Sequence, residues 1–145
     1  MTTIRPAGKQ DLKEMLRIDK LCSPDPWKIQ QFDRELMLDH SHLFVATEKE
    51  MVRGFICLWQ VSDELEIHSL AVDPAFRRQG IGFHLLDYAL KRFWHVKAFL
   101  EVRESNTAAR NLYAKLCFSE HHTRQRYYPD GENAIFMSRR LMNQK

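Results

Sequence analysis

One segment changes its period midway, and that change constrains the whole chain. Leu65, Ile67, Ser69 and Ala71 alternate with Glu66, His68, Leu70 and Val72, the period of a strand. Asp73-Pro74 interrupts the run. From Ile81 onward the apolar residues stand at Ile81, Leu85, Leu86, Ala89, Leu90 and Phe93, the period of a helix. A strand that turns into an amphipathic helix, with a further strand over Lys97–Val102, needs a sheet with that helix on one face. It also needs at least one parallel strand pair.

The turn itself carries chemistry. Arg77, Arg78, Gln79, Gly80, Ile81 and Gly82 lead into the helix. A helix N-terminus offers unpaired N–H groups and a partial positive charge. Two glycines remove the Cβ atoms that would hold a ligand away, and two arginines add forked donors. The sum is an anion site of phosphate or pyrophosphate type. No Lys-Ser/Thr follows, so it is not a P-loop, and it is not the GxGxxG dinucleotide fingerprint. The competing reading is a plain turn, with glycine for geometry and arginine for solubility.

The remaining elements flank this unit. Thr3–Arg5 reads as an edge strand ended by Pro6. Lys9–Leu21 places Leu12, Met15, Leu16, Ile18 and Leu21 at helical spacing. After the rigid loop Cys22–Pro26 and Trp27, a second helix runs over Lys28–Leu38. Strands follow at Leu43–Thr47 and Val52–Val61, and Gly54 inside the second marks a bulge or a close backbone approach. Ser105 or Asn106 caps a helix through Lys115. A last hairpin starts at Phe118, turns at Tyr128-Pro-Asp-Gly131 and returns over Ala134–Arg140. Meander before and hairpin after make the sheet edges antiparallel, so the sheet is mixed.

Composition excludes several classes. With 145 residues, one domain over 1–145 is expected. A net charge of +3, without an aromatic-basic stripe, argues against direct nucleic-acid binding. No apolar run is long enough for a membrane span, and MTTIRPAGKQDL lacks a signal-peptide core. Cys22, Cys57 and Cys117 have no metal or CxxC spacing and read as buried small hydrophobes in a reducing, cytoplasmic setting. The histidines lack metal-ligand spacing. His121 and His122 are adjacent on a strand, so their side chains are expected to diverge.

Arg77-Arg-Gln-Gly-Ile-Gly82 matches the R/Q-x-x-G-x-G/A motif and resembles the GNAT superfamily of N-acetyltransferases. Leu70-Ala-Val-Asp-Pro74 is similar to the strand this family splays beside its cofactor. Ser105–Tyr113, followed by Phe118, is similar to its second signature helix. Leu100-Glu-Val-Arg103, Ser105-Asn106, Arg124, Tyr127-Tyr-Pro129, Gly131, Ala134-Ile135 and Met137, with Pro26-Trp27, look like the RimI-type enzymes. The resemblance implies an α/β (α+β) GNAT fold: a mixed, mostly antiparallel twisted sheet of about seven strands with about four helices, its central strands splayed around acetyl-CoA.

The resemblance also implies roles. Acetyl-CoA is the co-substrate, with no metal. Its pyrophosphate would sit on the N–H groups of Arg78 to Gly82. Its pantetheine would pair with the backbone of Leu70, Ala71 and Val72, an amide chain on a strand edge. Asn106 would donate to the cofactor, or act as an N-cap, or both. Glu101 ends an apolar strand and would be the general base; its alternative is a salt bridge with Arg103, Arg77 or Arg126. Tyr113 would be the general acid for the coenzyme A thiolate; its alternative is a core aromatic. His68 ranks below Glu101 as a base; alternation places it on one side with Glu66 and Val72. Trp27, Tyr127 and Tyr128 would hold the acceptor, or the tyrosines pack across the hairpin.

The implied reaction is direct attack, in a ternary complex, by the N-terminal α-amine of an alanine-starting ribosomal protein. Another amine acceptor or a non-catalytic acetyl-CoA-binding module are the alternatives. A monomer or weak dimer is expected. Three departures stand out: Phe83 after the glycine motif, Cys117 where a helix-ending glycine is usual, and Arg92–His95 without a glycine turn.

Overall fold

A computed structural model of the protein describes residues 1–94 and 96–140. Seven strands and four α-helices follow in the expected order. They are β1 (Thr3–Pro6), α1 (Leu12–Cys22), α2 (Ile29–Met37), β2 (Ser41–Glu48), β3 (Met51–Val61), β4 (Glu64–Val72), α3 (Ile81–Arg92), β5 (Lys97–Arg103), α4 (Thr107–Lys115), β6 (Ser119–Arg124) and β7 (Ala134–Arg139). The strands form one sheet in the order β1-β2-β3-β4-β5-β7-β6. Among the described residues only β4 and β5 run parallel, because α3 carries the chain across between them.

The helices clothe the sheet in two layers. Ile81, Leu85, Leu86, Ala89 and Leu90 of α3 are all buried, with Ile56, Leu58 and Leu100. Phe93, just past the helix, completes that side. On the other face Met15, Ile18 and Phe32 of α1 and α2 pack with Val45, Phe55 and Ala71. Each fully buried side chain of this size contributes about 1.5–3 kcal/mol. Leu21 departs from its expected inward place and is 57% exposed. The α-helix starts at Leu12, after a 3-10 turn over Lys9–Asp11, and Cys22 packs on the core instead.

Bulges interrupt the alternation that sequence alone suggests. Between β3 and β4, Leu58 pairs with Ile67 and Cys57 with Ser69, so His68 is the extra residue. The bulge changes which face each side chain takes. Leu65 and Ile67 face the α3 core before it; Leu70 and Val72 pack there after it, and Ala71 turns to the α1–α2 core. Grouping Leu65, Ile67 and Ala71 on one face, and His68 with Val72, is therefore corrected. A second bulge falls at Arg53, beside Gly54. A Cβ on Gly54 would lie 2.9 Å from the Ala71 carbonyl oxygen, so both expectations for that glycine hold.

The most consequential feature is a fork. β4 pairs with β5 only over Glu64–Ile67 and Lys97–Leu100. Beyond that point Ser69–Val72 stay with β3, while Glu101–Arg103 stay with β7. One edge of β4 is left with unpaired backbone groups.

Other details differ from expectation. The Tyr128–Gly131 turn forms, with the Gly131 N–H donating to the Tyr128 carbonyl at 2.8 Å, but it sits within a longer connection between Arg124 and Ala134. A bulge at His121 lets both histidine rings approach Phe136, at 6.0 and 4.8 Å, so they do not diverge. Cys57 is buried as expected, Cys22 only half-buried, and Cys117 is exposed. Cys117 has φ +71°, the left-handed conformation a glycine would take. Its N–H donates to Ala114 and that of Phe118 to Tyr113, so α4 ends in a Schellman motif despite the side chain. α3 ends at Arg92, and His95 lies outside the described residues. No helix among the described residues is long and apolar enough to cross a membrane.

Candidate active site

The site is built on the two arms of the fork. On the β4 arm, Asp73 stops the strand by accepting the Ala75 N–H at 3.0 Å and the Arg17 guanidinium at 2.9 Å. Burial opposes ionisation of Asp73, but those two donors outweigh it and hold its carboxyl below the ordinary value. The following turn puts Arg78 at φ +64° and Gly80 at φ +81°. The first α3 hydrogen bond runs from the His84 N–H to the Gly80 carbonyl at 2.9 Å. The N–H groups of Ile81, Gly82 and Phe83 therefore precede the ladder and have no helical acceptor.

Arg77, Arg78 and Gln79 are exposed around this turn, and Phe83 is 38% exposed on its first helical turn. The Ile81 side chain is buried, so it can serve a ligand only through its backbone. A Cβ on Gly82 would stand 3.4 Å from Leu112 Cδ2 and 3.6 Å from Val72 Cγ2, which leaves no room for a larger side chain beyond it. Leu70, Ala71 and Val72 lie on the open β4 edge. Cys22 Sγ donates to the Val72 carbonyl at 3.2 Å and accepts from Arg77 at 3.4 Å, tying α1 to this arm. The arrangement fits acetyl-CoA: anion donors at one end and a free strand edge at the other.

On the β5 arm, Glu101 is the first residue past the fork. Its Oε2 lies 3.1 Å from Arg124 Nε, with the side chain 19% exposed. The ion-pair alternative therefore forms, with a partner outside the expected three. Arg103 instead binds Asp130 and Glu132, at 2.8 and 3.0 Å. Although Arg124 is close, its N–H is not aligned, and Glu101 Oε2 is buried without a hydrogen bond. A buried acceptor left open in this way is suited to an incoming N–H.

The β6–β7 connection closes over Glu101. Burial raises the Tyr127 hydroxyl above its ordinary value, with the nearby Glu101 and Glu66 carboxylates adding to the rise and the Arg124 cation opposing it. Tyr128 is pushed up to about 12, first by burial, against the opposing Arg103 cation, with Glu101 and Tyr127 adding to the rise. Arg103 also lies over the Tyr128 ring at 4.1 Å. The two tyrosine rings meet edge-on at 5.1 Å.

Tyr113 of α4 is 6% exposed, and its ring packs on Phe118 at 5.7 Å, the apolar contact of the Schellman motif. Burial, then nearby Tyr128, pushes its hydroxyl well above the usual tyrosine value. It packs as a core aromatic, and its hydroxyl stays protonated at neutral pH. Asn106 caps α4 by accepting the Ala109 N–H on Oδ1 at 3.1 Å, which leaves its amide donors free of the cap.

The structure thus brings Glu101, Tyr113, Tyr127 and Tyr128 together. Trp27 stands apart from them: its N–H donates to Asp19 at 2.7 Å and its ring packs on Phe32 at 5.1 Å, both within the α1–α2 layer. His68 lies on the site's other wall, against Glu66 at 3.3 Å and the Trp59 ring at 4.5 Å. Sequence reasoning selected neither Glu66, Trp59 nor the Arg17–Asp73 clamp. Glu66 carried a signal, as a carboxylate at strand period one residue before the fork; the partners of the others come from distant elements.

Comparison with known proteins gives four further findings. The family model for the acetyltransferase (GNAT) family matches residues 12–118. The [ribosomal protein bS18]-alanine N-acetyltransferase of Escherichia coli is 34% identical over 95% of this chain and 97% of its own length. An N-alpha-acetyltransferase of Sulfurisphaera tokodaii is 33% identical over 93% and 90%. The crystal structure of the ribosomal-protein-S18-alanine N-acetyltransferase from Escherichia coli superposes with a TM-score of 0.91 at 32% identity, over 100% of this chain and 97% of that one.

Proposed function

We propose, for a chain that belongs to the acetyltransferase (GNAT) family and is an N-acetyltransferase, that its acceptor is the N-terminal α-amine of a protein. The acceptor class is an alanine-starting ribosomal protein, and residues 1–145 act as one catalytic domain. The relatives named for that reaction support this reading over nearly the whole chain. The observation that carries it is Glu101, the first residue past the fork, whose Oε2 is buried without a hydrogen bond.

Bound acetyl-CoA would supply an activated acetyl thioester. Backbone N–H groups of Arg78 to Gly82, with Arg77, Arg78 and Gln79 around them, hold its pyrophosphate at the α3 N-terminus. The edge of Leu70, Ala71 and Val72 pairs with the pantetheine amides, and Asn106 donates from the start of α4. An N–H near Val72 polarises the thioester carbonyl.

An α-amine has an ordinary pKa of about 7.7–8.0, so much of it arrives protonated at neutral pH. Glu101 takes a proton from the amine, directly or through a water, as the nitrogen attacks. Tyr113 gives its proton to the departing thiolate. Its raised pKa keeps the hydroxyl protonated at every pH where the amine reacts. Tyr127 and Tyr128 close over the acceptor, with Trp27 at the α1–α2 loop.

The test pairs two peptides with acetyl-CoA: one starting with a free alanine, the other blocked at its N-terminus and carrying lysine. Acetylation of the first alone is expected. Transfer to the blocked lysine peptide, or to neither, would overturn the reading.

A further inference from the structure

We propose that Glu66 is the counter-charge that draws the acceptor's α-ammonium into the cleft, and that His68 controls whether that charge is available. The inference rests on the N-terminal acceptor reading above and deepens it.

Glu101, Arg103 and Glu66, which flank the fork, are not equivalent. Glu101 has Arg124 at 3.1 Å, so its charge is largely met before any acceptor arrives. Arg103 is met by Asp130 and Glu132. Glu66 pairs with Phe99 across the parallel ladder, and by alternation along β5 Phe99 and Glu101 share a face. The two carboxylates therefore look into the same cleft, and the Tyr127 hydroxyl responds to both. The Glu66 side chain is 39% exposed, and its ionic contact is with an imidazole, His68 Nε2 at 3.3 Å.

A neutral imidazole leaves the Glu66 charge intact; an imidazolium cancels it. His68 does not follow Glu66 freely. As the extra residue of the β4 bulge it is fixed by the backbone. Its ring lies against Trp59 at 4.5 Å with a 33° tilt. Trp59 is fixed in turn, because its indole N–H donates to Glu35 of α2, which also accepts the Ser41 hydroxyl at 2.8 Å. The His40 ring meets Trp59 edge-on at 4.5 Å. The titratable and charged groups around His68 are thus Glu66 on its own strand, Glu35 and His40 beyond Trp59, and Glu101, Arg124 and Tyr127 across the fork.

The sign follows from the charges. A protonated His68 is cationic, pairs with Glu66 and competes with the ammonium, so acceptor KM rises as that protonation proceeds. The amine's own titration, near 8, acts in every variant alike.

The experiment measures KM for an alanine-starting peptide and for acetyl-CoA, from pH 6 to 8.5, in wild type, Glu66→Gln, Glu66→Asp, His68→Gln and His40→Gln. Glu66→Gln is expected to raise acceptor KM about tenfold and to leave acetyl-CoA KM alone; Glu66→Asp keeps the charge and restores part of the loss. His68→Gln flattens the rise toward the acid end of that range, whereas His40→Gln keeps it. An acceptor KM within twofold of wild type in Glu66→Gln, or a wild-type pH slope in His68→Gln, rejects the proposal. A pH slope lost in His40→Gln rejects it too. If wild type acetylates the peptide and Glu101→Gln abolishes turnover, such a result removes Glu66 and His68 alone. If wild type does not acetylate the peptide at all, both readings fall together.

Discussion

The two arms of the fork are built in different ways. The β4 arm is continuous: Leu70 to Gly82 supplies its strand edge, its turn and its helix N-terminus from one stretch of chain. The β5 arm is assembled from parts far apart, with Glu101 on β5, Tyr113 on α4, and Arg124, Tyr127 and Tyr128 at the far hairpin. In the proposed reaction, backbone donors serve the first arm and side chains the second. Damage to the first should therefore show in cofactor affinity, and damage to the second in turnover or acceptor affinity.

The largest expected effect tests the side-chain arm. Glu101→Gln and Tyr113→Phe should each lower kcat by about 10²-fold or more while leaving coenzyme A binding intact. Stopped-flow turnover together with calorimetric coenzyme A titration separates the two; near-wild-type kcat in both variants would end the role assignment. Next comes the backbone arm. Gly82→Leu places bulk against Leu112 and Val72, and should raise acetyl-CoA KM about tenfold with less effect on acceptor KM. A shift in acceptor KM alone would contradict the division between the arms.

A smaller effect concerns how the β4 arm is held. Asp73 has its folded pKa below its unfolded value, so the stability it contributes is present above about pH 4. It is lost as pH falls through the lower, folded value. Thermal melts of wild type should lose Tm between pH 5 and pH 3 more steeply than those of Asp73→Asn; parallel slopes would remove the clamp from the account. The smallest effect is at the end of α4. Cys117 holds a left-handed φ of +71°, at a cost of roughly 1–2 kcal/mol. Cys117→Gly should relieve part of that strain, offset by the greater entropy of unfolded glycine, and raise Tm by a few degrees at most. A lowered Tm would show that the thiol itself stabilises the helix end.

The helical period from Ile81 to Phe93 read correctly because each of those residues meets the same sheet face. Leu21 read wrongly because helical spacing does not say where a helix leaves the core; Cys22 took the inward place one residue later. The alternation in β4 misled for a related reason. A bulge adds one residue without a local signal, and after His68 every side chain changes face. The ion pair of Glu101 was foreseen as a type, but its partner Arg124 was not. Arg124 lies on β6, and β7 inserts between β5 and β6, an order that local patterns do not encode.

Sequence by itself determined the element order and the need for at least one parallel pairing, and it singled out the glycine-arginine turn and the candidate residues for acid and base chemistry. These depend on period, turn chemistry and helix N-terminal charge, all of which act over a few neighbouring residues. Tertiary structure alone decided where β4 and β5 part, which face His68 and Val72 take, and which charges meet Glu66 and Glu101. Those depend on strand register and through-space electrostatics between elements, which become defined only once the sheet has closed.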